Sequence, residues 1–459
     1  MRTAVAALVV SGLTAALLSP AAANGRDPYT STIHFKRGAE TNIVAGMTFG
    51  LLLSHDNGAT WQWMCETAIG YGGAYDPDYE YTSAGAIFAT TFDGLKVMRD
   101  GCSFNSTPPG MTFVSRVEQA PDGTIYYAAA DPNDGKIYRS TDDGMTFPTS
   151  ASPGMANDWW QSIEVAPSDN NRVYLTGYRL MGGDPKQFLL FSSSNATTGF
   201  TFSPMAMTGI GTTSENSTID IVGISAQSAN TLYVRVTLVT GTDTDAIYRS
   251  TNGGTSWTKI LEKNSRFGLS FLVRNDGTCV AGTRELGAWK STDCATAATP
   301  TWTPLANAPH IGCLYENAAG EVWACTQNYA SPQLDIPTDE YGIMKSTDLS
   351  TWTGVLKYAD IQAPVACAAG TIQEDECIQK PEGLQSPWCC LVPQLGISST
   401  AIDCSGALAC FGGAVDGAVD AGTTNVTPPP DGCCDSGSGS SALLGLLVGG
   451  LLLSRRRRS

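Results

Sequence analysis

Tyr248-Arg249-Ser250-Thr251-Asn252-Gly253-Gly254-Thr255-Ser256-Trp257 is the stretch on which the reading of the whole chain turns. It returns along most of the sequence. Ser54-His55-Asp56-Asn57-Gly58-Ala59-Thr60-Trp61 and Arg139-Ser140-Thr141-Asp142-Asp143-Gly144-Met145-Thr146-Phe147 are close copies. Arg99-Asp100-Gly101-Cys102-Ser103-Phe104 is a worn copy, and so is Ser194-Asn195 followed by Gly199-Phe200-Thr201-Phe202. Lys290-Ser291-Thr292-Asp293, closing at Trp302, and Lys345-Ser346-Thr347-Asp348-Leu349-Ser350-Thr351-Trp352 complete a set of seven. Measured between the closing aromatics, the steps run from about 43 to about 55 residues, the length of a repeated four-stranded unit.

Each copy carries turn chemistry. Ser, Thr, Asp and Asn bond back to nearby backbone N–H groups, and Gly takes positive φ at no steric cost. The closing Trp or Phe begins the next strand and has an apolar face to bury. Each copy therefore reads as a hairpin between two strands. Asp56, Asp100, Asp142, Asn252, Asp293 and Asp348 read as structural because they recur in every repeat, and the preceding Arg139, Arg249, Lys290 and Lys345 read the same way. The pattern S/T-x-D-x-G-x-T-W/F resembles the Asp-box of sialidase-like, sortilin-like and photosystem-assembly-factor-like β-propellers and of some endoglucanases. The resemblance implies an all-β fold, a seven-bladed β-propeller of four-stranded blades, with these hairpins on the outer part of each blade.

Intervening runs alternate with period two, as in Val114-Ser115-Arg116-Val117 and Thr124-Ile125-Tyr126-Tyr127-Ala128 of the third repeat. No long stretch has helical period. The propeller is expected over 24–362. Residues 1–23, with Met1-Arg2, an apolar run from Ala4 to Leu18 and Ala21-Ala22-Ala23, read as a signal peptide. From 363 to 411 the texture changes to a cysteine-rich module. Six of the fourteen cysteines lie in the propeller and six here. Cys313 and Cys325 fall on consecutive strands and can face each other; the remaining connectivity is not readable. Cysteines behind a signal peptide imply an oxidising compartment.

Residues 412–431 read as a flexible linker ending in Pro428-Pro429-Pro430. In 432–459, Cys433 and Cys434 precede a Gly/Ser spacer, an apolar run from Ala442 to Leu453, and Arg455 to Arg458. Twelve apolar residues reach about 18 Å, short of the roughly 30 Å hydrocarbon core. The plan resembles the C-terminal sorting tag of myxobacteria and their relatives. That resemblance implies export, cleavage near Cys433 or Cys434, and attachment of the mature protein to the outer surface of a Gram-negative cell, with some fraction released. A plain tail anchor is the other reading.

The net charge of −16 argues against a nucleic-acid backbone as partner. The three histidines lack ligand spacing, so neither metal nor cofactor is expected. Chemistry is sought where residues break the repeat. Tyr75-Asp76-Pro77-Asp78-Tyr79-Glu80-Tyr81 and Asp158 supply candidate catalytic carboxylates, Asp76, Asp78 and Asp158 foremost, since propeller endoglucanases hydrolyse with two facing carboxylates. No Arg-Ile-Pro-type phrase of sialidases occurs. Trp159 and Trp160 are candidate binding residues: on a loop face their rings stack on sugar or peptide, and in the bland reading they pack between blades and over the rim. The expected role is a binding or interaction scaffold for an extracellular glycan or protein, membrane-bound through its processed tail; the alternative is a propeller-type glycoside hydrolase.

Overall fold

The computed structural model describes residues 26–404, apart from 73–74, 109, 111, 131–134, 156–157, 181–185, 211–216, 240–242, 266, 332–334, 380–385 and 399–401. The proposed signal peptide, the linker and the tail with Cys433 and Cys434 lie outside the described residues.

Among the described residues twenty-eight strands form seven four-stranded antiparallel meanders in chain order, and a twenty-ninth joins the first of them. In blade three the order runs Val114–Gln119, Ile125–Ala129, Lys136–Ser140 and Thr149–Ala151. The first strands of the seven sheets are Thr30–Phe35, Tyr79–Tyr81, Val114–Gln119, Asp158–Ala166, Thr218–Ile224, Ser270–Val273 and Cys313–Glu316. Each touches the first strand of the sheets before and after it, and the seventh touches the first, so the ring is closed. The fold is a seven-bladed β-propeller.

The core is a set of slabs between blades. Tyr126 and Ile137 of blade three pack on Ile163, Leu175 and Phe191 of blade four. Tyr174 and Leu190 of blade four pack on Ile219, Val234 and Trp257 of blade five. Second strands lie between two neighbours, and Ile87–Thr91, Ile125–Ala129 and Cys279–Thr283 are buried at every position. The sequence reading expected half-buried alternation there. A strand covered on both faces has no reason to alternate.

The repeated hairpins join third and fourth strands. In blade three the Ser140 hydroxyl donates to Asp142 Oδ1 (2.6 Å) and accepts from Gly144 N–H (2.8 Å). Thr146 donates its N–H to Asp142 Oδ1 (2.9 Å) and its hydroxyl to Oδ2 (2.6 Å). Asp143 and Gly144 both have positive φ, 55° and 72°, which lets the chain reverse inside this knot. Blade one repeats the pattern through Ser54 and Asp56. Asn252, Asp293 and Asp348 each accept backbone N–H groups of their own turn. In blade two, Asp100 accepts the N–H groups of Cys102 and Ser103. In blade four Ser193, rather than Ser194, donates to Asn195. The hydrogen bonds from Ser140 and Thr146 hold the Asp142 carboxyl down at about 2.

The basic residue before the turn staples neighbouring blades. Arg99 pairs with Asp143 of the next turn (2.6 Å), Arg139 donates to Ala196 O, and Arg249 donates to Cys294 O and Ala297 O.

The four antiparallel strands of each blade are contiguous in sequence, and the two ends of the chain meet at blade one, where a further segment reinforces the closed ring. Ala363–Pro364 adds a fifth, parallel strand to the outer edge of blade one. Disulfides Cys65–Cys377 and Cys102–Cys367 then tie this segment to blades one and two. The six-and-six partition of cysteines is therefore crossed twice, while Cys313–Cys325, Cys279–Cys294 and Cys389–Cys404 are local. Gln373 is fully buried; its Oε1 accepts Cys65 N–H (3.0 Å) and its Nε2 donates to Trp63 O (3.0 Å). A nine-residue helix, Pro387–Leu395, seats Trp388 against Trp63, 5.5 Å between ring centroids. The segment thus shares the core of blade one. No helix among the described residues is long and apolar enough to cross a membrane.

Candidate functional site: the central channel

The first strands line the ring axis, and the residue two places before each first turn falls at one level. In blades two, three and four that residue is glutamate: Glu80 before Thr82, Glu118 before Ala120, Glu164 before Ala166. Blade one contributes His34 and blade seven Tyr315, their rings 5.4 Å apart. Two residues earlier stand Asp78 in blade two and Arg116 in blade three, paired at 3.3 Å. Asp220 of blade five pairs with Arg235 (3.1 Å). Arg37 reaches Glu118 at 3.9 Å and donates to Gln119 O.

These side chains, from separate blades, bear on one another. Burial alone would lower Arg116, but Asp78, Asp220, Glu164 and Tyr315 together hold it above its ordinary value. Burial pushes Glu80 up to about 7; Arg37 opposes this and Asp78 adds to it. Burial pushes Glu164 up to about 8 against Arg116, with Asp78 and Glu80 adding. Glu118 is raised by burial, then by Glu164 and Glu80, although about a quarter of its side chain (25%) still meets solvent. Burial, reinforced by Arg116 and opposed by Asp78, lowers His34 to about 4. Burial thus favours the neutral carboxyl in all three glutamates and the neutral imidazole of His34.

Asp78 belongs to this channel, but its Oδ2 accepts Val117 N–H (3.1 Å) and its Oδ1 faces Arg116. Asp76 pairs instead with Arg26 (2.9 Å), and burial raises its carboxyl. Asp158 is 1% exposed, gripped by Arg179 Nε (2.5 Å) and Nη2 (2.8 Å) and by Met155 N–H (2.8 Å). Three different arginines thus hold the three carboxylates, and the structure brings no two of them into contact among the described residues. Trp159 and Trp160 lie within the first strand of blade four, not on a loop. Trp159 is 9% exposed and stacks near Tyr178; Trp160 is 1% exposed and meets Phe191 edge-on. Neither ring offers a free face for stacking.

The glutamate belt was missed as a set. Glu80 stood out only as part of an apparently unique phrase, yet Tyr79–Tyr81 is the first strand of blade two. Aligning the first turns across repeats is the signal that finds Glu118 and Glu164. Among the described residues no group of three His, Cys, Asp or Glu side chains is arranged to hold a metal ion.

No family model matches the chain, and no curated protein is similar to it. Among solved structures it is similar to the Dos1 propeller (TM-score 0.45, 12% identity), covering 70% of this chain and 87% of that one. It is also similar to YCF48 from Cyanidioschyzon merolae (TM-score 0.41, 11% identity), covering 65% and 92%. A third is an ancestral GH74 enzyme (TM-score 0.42, 15% identity), where 73% of this chain matches 49% of the enzyme.

Proposed function

We propose that this protein is an exported, cell-surface-anchored binding scaffold that presents the channel side of its propeller to an extracellular glycan or protein. The observation that carries this is the fate of the repeat-breaking carboxylates. Asp76, Asp78 and Asp158 are neutralised by Arg26, Arg116 and Arg179, and hydrolysis by two carboxylates needs a facing pair free to move a proton and to attack or activate water. The side-chain knots in the hairpins support reading them as Asp-boxes. Five disulfides among the described cysteines support an oxidising compartment. On this reading 1–23 is removed, 412–431 is the tether, and 432–459 is the sorting tag cut near Cys433 or Cys434.

One observation favours a second reading. Burial raises the Glu80 and Glu164 carboxyls, to about 7 and about 8, inside a shared channel, a direction that suits a general acid. A propeller glycoside hydrolase would then use these two rather than the aspartates.

A glycan array run beside a reducing-sugar assay on the purified chain separates the readings. The scaffold predicts retention of a ligand without sugar release. Sugar release that disappears in Glu164→Gln would overturn it. Mass spectrometry of the mature C-terminus tests the tail, and an intact run from Arg455 to Arg458 would refute processing.

A further inference from the structure

Arg284 stands at the turn between the second and third strands of blade six and is 6% exposed. Its guanidinium lies over the Tyr29 ring at 3.8 Å and the Phe267 ring at 4.9 Å. Nη2 donates to Gln327 Oε1 (2.6 Å), and Nε is buried with no acceptor. No carboxylate pairs with it among the described residues. This sets it apart from the other arginines of this side: Arg26 has Asp76, Arg179 has Asp158, Arg235 has Asp220. Arg249, as deeply buried, donates to two backbone carbonyls.

A second donor beside it is also idle. The Tyr29 hydroxyl is buried without a partner. It sits where a side chain at Gly312 would be, since a Cβ there would come within 1.3 Å of it. Burial, partly offset by Arg284, raises this hydroxyl to about 12, so it remains a donor at neutral pH. The nearby Asp339 is turned to other donors. His310 Nδ1 (3.0 Å) occupies its Oδ1, and the N–H groups of His310 (3.1 Å) and Gln327 (3.0 Å) occupy its Oδ2.

A guanidinium with no carboxylate partner and its Nε unpaired, stacked on a phenol whose hydroxyl has no acceptor, leaves two donors that a planar anion can satisfy. We infer that Arg284 and Tyr29 form the recognition point for a carboxylate group on the ligand. The aromatic walls favour a carboxylate over a fully hydrated phosphate, because the ligand must shed water to enter. The inference deepens the scaffold reading and rests on it. The carboxylate can come from an acidic sugar or from a peptide C-terminus.

Isothermal titration of the purified chain tests this with two acids: D-galacturonate, and a blocked peptide with a free C-terminal carboxylate. D-galactose and the C-terminal amide of the same peptide serve as neutral counterparts. One acid binds saturably and its neutral counterpart does not, which also identifies the source. Arg284→Gln and Tyr29→Phe each weaken that binding by about tenfold or more, and Arg284→Lys weakens it less than Arg284→Gln. Tyr29→Phe removes one oxygen and carries the test if Arg284→Gln fails to fold. Saturable binding by neither acid, equal binding of acid and neutral forms, or affinity unchanged in Tyr29→Phe and Arg284→Lys would each overturn the pocket. A glycan or protein captured equally by wild type and Tyr29→Phe would end this inference and leave the scaffold reading standing.

Discussion

Replacing Glu164 by glutamine probes the channel belt most directly. The carboxyl is pushed from an ordinary 4.5 to about 8 by burial and by Asp78 and Glu80, against Arg116. A carboxyl whose folded value is raised stabilises the fold fully below its unfolded value and loses that contribution as pH climbs through the folded value. The belt therefore favours the fold near pH 5 and opposes it above about pH 8. At about 1.36 kcal/mol per pH unit the ceiling is roughly 5 kcal/mol. The side chain is only partly buried by area and shares the channel with Glu80 and Glu118, so solvent screening and shared protonation reduce the expectation to about 1–2 kcal/mol. Glutamine stays neutral throughout, so Glu164→Gln should flatten the loss of stability between about pH 5 and about pH 8.5 by that amount. Urea denaturation followed by tryptophan fluorescence at both pH values reads it, with the change in midpoint compared at constant slope. Parallel pH profiles for wild type and variant would refute the raised Glu164 carboxyl.

The opposite limb belongs to His34. Its folded value is lowered to about 4, so stability is lost as pH falls from about 6.5 toward about 4, and His34→Gln should reduce that loss by about 1 kcal/mol in the same assay. In the repeated turns, Asp142→Asn should cost less than about 0.5 kcal/mol, because Asn252 already makes the equivalent bonds in blade five. Asp142→Ala should cost about 1 kcal/mol, as loss of a capping side chain does; equal effects of the two variants on the urea midpoint would refute this. Gln373→Ala leaves Cys65 N–H unpaired beneath the C-terminal segment and takes from Trp63 O one of two donors, the other being Val365 N–H. It should cost about 1–3 kcal/mol and raise amide exchange first along the edge of blade one, an order that hydrogen exchange can check.

The seven turns were legible because their partners are close in sequence. Ser140, Asp142, Gly144 and Thr146 satisfy one another within seven residues, so the information lies on one line of text. The strand pattern was legible only in part, since second strands covered on both faces show no alternation. The closing segment was not legible. The partners of Cys65 and Cys102 lie 312 and 265 residues away, and spacing carries no trace of a contact made by ring closure. Asp158 and the two tryptophans stand just before the inner strand in the sequence reading, either presented on a loop face or packed between blades and over the rim. The strand in fact begins at Asp158, and both rings are buried. Arg179, which neutralises Asp158, lies across the hairpin at register, a relation that the phrase alone does not contain.

In a ring of repeats, the number of times a residue type recurs at one level separates architecture from chemistry. A feature present in all seven blades is part of how each blade closes, as Asp56, Asp100, Asp142, Asn195, Asn252, Asp293 and Asp348 show: each is spent on its own turn. A feature confined to one blade is readily neutralised by a neighbour, as Arg179 neutralises Asp158. The three glutamates fall between these cases. They stand in consecutive blades, at one level, with Arg37 and Arg116 near enough to offset part of their charge. Folding alone does not require like charges to be gathered on an axis, where apolar side chains would pack at lower cost. Blade six places Leu272 at the same level, so this backbone accepts an apolar residue there. Ring closure by itself therefore gives no reason for glutamate in three consecutive blades.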